Sequence, residues 1–163
     1  MVIDKIRIIP PGFDPRRFNP NFMSRTEARQ RLGLDLSAKM LLVVGGDKTS
    51  SRRKGLPYVL HALDYLYKTG QLDNLNVFLF IIGGFPDKWM QQFPHLRKYI
   101  LQKSYVSDDL MPTVYRAADV FVMSSTSEGW GIALIEALAC GAPVIASRNV
   151  PSAFATEATG AAH

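Results

Sequence analysis

The order of apolar and polar residues predicts an α/β fold, a doubly wound and mostly parallel sheet with helices on both faces. Three observations predict it. Short apolar runs alternate with longer stretches of helical spacing along the chain, with no sustained two-residue alternation. Those runs, such as Val77 to Ile82 and Val120 to Met123, are apolar at consecutive positions, so both faces of the sheet must be covered. The segments after three of the runs concentrate Gly, Ser and Thr, at the carboxyl ends where an open parallel sheet binds its ligands.

Taken in order, Ile6 to Ile9 is the first strand candidate, followed by the turn-rich Pro10-Pro11-Gly12-Phe13-Asp14-Pro15. Ser24 to Leu32 reads as a helix because Ser24 stands three residues before Glu27, the spacing of a capping box, and Gly33 follows as a stop. Met40 to Gly45 is a strand and Gly55 to Thr69 a helix. Val77 to Ile82 is a strand, Asp87 to Gln102 reads as a helix, and a weaker strand signal lies near Ile100 to Tyr105. Asp108 to Ala118 and Ile132 to Cys140 are helical, the second stopped by Gly141, and Asp119 to Met123 and Pro143 to Ala146 are strands. Pro151 to His163 thins into Ala and Thr with no clear final element.

Composition narrows the function. A chain of 163 residues buries roughly two-thirds of its unfolded surface and has a real core. Its longest apolar runs are strand-sized, well short of the ~18–20 residues that span a bilayer, so a transmembrane protein is excluded. Met1-Val2-Ile3-Asp4-Lys5 has no secretory pattern, and the single cysteine, Cys140, fits a reduced, cytoplasmic location. The net charge of +5 makes an anionic partner worth weighing. Only Lys48, Arg52, Arg53 and Lys54 crowd together, and no cationic stripe with interleaved aromatics is present, so nucleic acid is not expected as a partner.

The densest passage for chemistry runs from Ser124 to Gly141. A strand ends in hydroxyl residues, passes Glu128-Gly129-Trp130-Gly131 and enters an apolar helix containing Glu136, with seven residues between the two acids. Gly129 and Gly131 let the backbone approach a ligand, amides at the helix start can bind phosphate, and a carboxylate inside the helix can accept from both hydroxyls of a ribose. On spacing alone, a strand-to-helix turn with two solvated acids fits as well. Lys54, ahead of the Gly55 helix on the same sheet edge, is placed to neutralise phosphate; an exposed charged loop is the plainer reading. His61 and His95 have no second His or Cys at metal spacing and read as structural or surface residues, and Cys140 as packing.

These motifs resemble the retaining, family 4 (group 1) glycosyltransferases of the GT-B fold, collinearly from about Ile6 to Ala162. Ile9-Pro10-Pro11-Gly12-Phe13-Asp14 with Phe18 and Pro20, Arg53-Lys54-Gly55, and Val106-Ser107-Asp108-Asp109-Leu110 with Tyr115 and Ala117-Ala118-Asp119 carry the likeness. Glu128 to Ala137 matches the family's Glu-x7-Glu motif, followed by Ala139 to Ala146. The resemblance implies a Rossmann-like, C-terminal, donor-binding domain over residues 1–163, without the N-terminal acceptor domain and the last helices. It implies a nucleotide-sugar donor carrying UDP or GDP, a hexose passed to a hydroxyl acceptor, and no metal or other cofactor. Lys54 would bind the diphosphate, Glu136 the ribose, and Glu128 would face the transferred sugar as the catalytic carboxylate. Gly129 and the amides of Trp130, Gly131 and Ile132 would contact phosphate or sugar, and the backbone at Val106 would edge the base. The family's arginine is missing at Gly46-Asp47, leaving Lys48, Arg52 or Arg53 to replace it, and Trp130 stands where Phe is commoner. The full enzyme is compatible with peripheral membrane association, while the chain alone is expected to bind donor without transfer. The rivals are a non-catalytic nucleotide or sugar-phosphate binding module and a sugar-nucleotide isomerase or epimerase.

Overall fold

The computed structural model describes residues 9–45 and 49–158, the side chains of 155–158 excepted. Helix α1 (Arg25–Leu32) precedes strand β1 (Lys39–Val44), and α2 (Leu56–Lys68) with the one-turn α3 (Gln71–Asn74) leads to β2 (Val77–Ile82). After α4 (Asp87–Gln92) and a 3-10 helix (Pro94–Tyr99) comes β3 (Ile100–Lys103). Helix α5 (Met111–Ala117), β4 (Val120–Met123), α6 (Ile132–Ala139), β5 (Val144–Ala146) and α7 (Pro151–Ala158) complete the order. The five strands among the described residues are all parallel, in the spatial order β3-β2-β1-β4-β5. The chain thus winds one way from β1 through β2 to β3 and the other way from β4 to β5. The order reverses between β1 and β4, the switch point at which open sheets of this kind bind their ligands.

Alternate residues of each inner strand feed two cores. Met40, Leu42, Phe80, Phe121 and Met123 pack with α1, α5 and α6, whereas Val43, Leu79 and Ile81 pack with α2, α4 and the 3-10 helix. This is why the strands are apolar at consecutive positions. The capping box of α1 is present in full: Ser24 Oγ accepts from the Glu27 amide at 3.2 Å and Glu27 Oε2 from the Ser24 amide at 2.7 Å. Arg29 is buried because its donors all find oxygen, including the carbonyls of Ala117 (3.0 Å) and Ala38 (2.7 Å) and the Asp119 carboxylate.

The structure corrects several sequence expectations. The helix expected over Asp87 to Gln102 ends at Gln92, because Pro94 has no amide to continue it and constrains Phe93, so a 3-10 helix and then β3 follow. The helix expected from Asp108 starts at Met111, after a turn in which the Met111 amide bonds to the Ser107 carbonyl at 3.2 Å. Pro151 to Ala158, read as featureless, is helix α7, which opens on a proline, a residue suited to a first helical turn. The short α3 was not foreseen. Residues 6–8 of the first strand candidate lie outside the described residues, and Ile9 is exposed and not in a strand. No helix among the described residues is long and apolar enough to cross a membrane.

Candidate ligand cleft

A cleft of about 590 Å³ opens at the carboxyl ends of β1 and β4. It is lined by Lys54 ahead of α2, Met123 at the end of β4, the run Glu128 to Ala133, and Ile9 to Pro11. The two loops that form it are stitched together. Ser124 Oγ donates to the Gly55 carbonyl at 2.9 Å, and Thr126 donates to the Arg53 carbonyl through its amide (2.8 Å) and its hydroxyl (3.2 Å). Gly55 is required there: at φ 71° a Cβ would lie 1.8 Å from the Ser124 carbonyl oxygen. On the far side of the cleft α7 pins the start of α6, the Ser152 amide bonding to the Trp130 carbonyl at 3.0 Å and its hydroxyl to the Gly131 carbonyl at 3.1 Å. Gly131, at φ 94°, has Val150 and Ser152 where a side chain would go.

Within this frame Lys54 Nζ lies 2.7 Å from Glu128 Oε1 and Arg53 Nη1 3.6 Å from Oε2. Ser125 Oγ donates to Glu128 Oε1 at 2.7 Å, and Arg53 Nη1 also donates to the Ser127 carbonyl at 2.9 Å. Burial pushes the Glu128 carboxyl up, but the hydrogen bonds from Lys54 and Ser125 and the nearby cationic charges outweigh it, and the net result is below the ordinary value. Glu136 sits on the same side of α6 as Ile132 and Ala133, one turn further on, in an adjoining recess of about 180 Å³ with Arg17, Phe18, Asp108 and Met111. There the Tyr115 hydroxyl donates to Glu136 Oε2 at 3.0 Å, and Arg17 Nη2 donates to the Asp108 carbonyl at 2.9 Å. Burial raises the Glu136 carboxyl; Tyr115 and Arg17 offset this only in part, and Asp108 adds to it.

The structure therefore gathers Lys54, Arg53, Glu128, Gly129, Trp130, Gly131 and Ile132 around one cleft and puts Glu136 beside it. Lys48 lies outside the described residues. The Val106 side chain is packed into the core, and Val106 lines neither the cleft nor the recess at Glu136. The Gly83-to-Pro86 loop, expected at the same edge, does not line the cleft: Phe85 is buried against α2 and the Gly83 carbonyl accepts from Gln102. Arg17, Ser125, and Ile9 to Pro11 are site residues that sequence reasoning missed; the crowding of hydroxyls after β4 was the one signal for Ser125. Trp130 lines the cleft with its indole Nε1 buried and without a partner. His95 is structural, with Nε2 2.8 Å from Asp64 and its ring against Tyr67, and burial pushes the Cys140 thiol up to about 12. No group of three or more His, Cys, Asp and Glu suited to a metal occurs among the described residues.

A parallel sheet with a glycine-edged cleft holding Lys54 and Glu128 at its switch point defines a class, the doubly wound α/β domains that take ligands at the carboxyl ends of their strands. Comparison narrows it. A family model described as glycosyl transferases group 1 matches residues 24–160, and the chain belongs to that family. It is 37% identical over 154 residues to a D-inositol 3-phosphate glycosyltransferase of Pseudarthrobacter chlorophenolicus, covering 89% of this chain and 34% of that protein. The crystal structure of WaaG, a glycosyltransferase involved in lipopolysaccharide biosynthesis, superposes with a TM-score of 0.77 at 28% identity over 96% of this chain and 42% of that one. HepE of Anabaena, solved with UDP and glucose, shares the fold with a TM-score of 0.68 at 20% identity, covering 88% of this chain and 38% of that one. The chain spans about a third of the length of the curated relatives it matches.

Proposed function

We propose that the chain is the C-terminal, donor-binding domain of a retaining glycosyltransferase that moves a hexose from a nucleoside diphosphate sugar to a hydroxyl acceptor. The observation that carries this reading is the placement of Lys54 and Arg53 beside Glu128 in the cleft, with Glu136 one helical turn beyond it. On this reading Lys54 and Arg53 take the diphosphate, and the amides of Trp130, Gly131 and Ile132 add donors at the α6 start. Glu136 accepts from the ribose hydroxyls and the Val106 backbone edges the base. The UDP and glucose bound by the structurally similar HepE make a donor of this class a reasonable ligand for the cleft.

In the reaction the bond from the anomeric carbon to the diphosphate oxygen breaks, the new bond to the acceptor oxygen forms on the same face, and the acceptor's hydroxyl proton passes to the departing diphosphate. Lys54 and Arg53 stabilise charge on the departing diphosphate; Glu128 stabilises positive charge on the sugar ring without bonding to it. Cations and amides supply this stabilisation with no resident metal. The acceptor comes from outside these 163 residues, which bind donor without transferring it, in the cytoplasm. Calorimetric titration with UDP, GDP and ADP tests the reading. One nucleotide is expected to bind, about tenfold or more weaker in Lys54→Ala and in Glu136→Ala. Failure of a folded chain to bind any of the three overturns it.

A further inference from the structure

In the cleft the two side chains assigned to different parts of the donor are engaged with each other. Lys54 Nζ is 2.7 Å from Glu128 Oε1, with side-chain exposures of 19% and 9%. Such a half-desolvated pair is worth more than a surface one, and a ligand phosphate has to displace it. The remaining partners of Glu128 differ from Lys54 in being anchored elsewhere: Arg53 is fixed to the Ser127 carbonyl, and Ser125 lies in the same loop as Glu128. Lys54 has a long, flexible stem and a point charge that can turn to a new anion.

We propose that Glu128 is a latch on the phosphate site, holding Lys54 until a diphosphate takes the lysine over, and only then facing the sugar as a carboxylate held by Arg53 and Ser125. The inference rests on the reading of the cleft as a donor site. It makes Glu128 a specificity-determining residue for the donor. A neutral or singly charged ligand offers Lys54 no more than the carboxylate it would replace, whereas a diphosphate offers more charge and several acceptors.

The test is a double-mutant cycle on the full chain, titrated at pH 8 with UDP, GDP and ADP, which lack the transferred sugar and so need no contact from Glu128. Glu128→Gln is expected to bind the preferred nucleotide about 5–10-fold more tightly than wild type. With Lys54→Met in both arms the same substitution is expected to gain less than about twofold, because there is no lysine to release. An equal gain in both backgrounds means plain charge repulsion and overturns the latch, as does unchanged or weaker binding by Glu128→Gln. Those results leave the donor site standing if wild type binds; absence of binding by wild type and Glu128→Gln alike overturns both. Should Glu128→Gln lose the wild-type melting transition, Glu128→Asp, which draws the carboxylate back by one methylene, replaces it in the cycle with the same expected direction.

Discussion

Glu128 and Glu136 are the same side chain separated by seven residues, yet their surroundings push the two carboxyls in opposite directions. Cations and a hydroxyl surround the first; the second has one phenol, a more distant arginine and the charge of Asp108 against it. The linkage consequence follows in sign. A carboxyl raised above its unfolded value of 4.5 destabilises the fold when ionised, and the cost fades as pH falls through the raised value toward 4.5. Glu136→Gln, which keeps an acceptor for Tyr115, is therefore expected to melt about 1–2 °C above wild type at pH 7, the cost being reduced by partial solvation. The gap should close on acidification, while nucleotide binding at pH 7 is expected to be weaker than in wild type. Glu128 behaves in the reverse sense: its pairing supports the fold above pH 4.5, and that support is lost as pH falls through its lowered value.

At the scale of elements, the segments before α2 and after β4 act as one unit, because hydroxyls of Ser124 and Thr126 bond to carbonyls of Arg53 and Gly55. Gly55→Ala should break that unit. Its Cβ has no room and its backbone is left-handed, so a loss of about 3 kcal/mol or more is expected in denaturant unfolding, with weakened nucleotide binding through Lys54. Ser24→Ala removes one half of the α1 capping box and should cost about 1 kcal/mol by the same measurement, leaving the cleft unaffected. The α1 cap was legible in the sequence because a cap is local, fixed by residues three apart. The break at Pro94 was equally local and was overlooked under the apolar spacing that ran through it. The ties from Ser124 and Thr126 were not legible, since their partners are about seventy residues away.

For the whole molecule, the reversal of strand order between β1 and β4 brings a lysine and a glutamate from distant parts of the chain into one ion pair. A cleft whose cations come from the protein should keep its ligand when metals are removed. Nucleoside diphosphate binding by the 163-residue chain is expected to survive EDTA in a metal-free buffer, measured by calorimetry, and the chain is expected to show no sugar transfer. The sequence by itself determined the parallel α/β class, most strand and helix cores and, among the residues lining the cleft, Lys54 and the run Glu128 to Ile132, because these depend on local periodicity and on motif residues that stand together in the chain. Only the tertiary structure decided that Lys54 and Glu128 bind each other, that Glu136 faces a separate recess under Tyr115, and that α7 secures the start of α6. Those relations depend on which strands lie side by side, and the close packing of two cores around one sheet sets that.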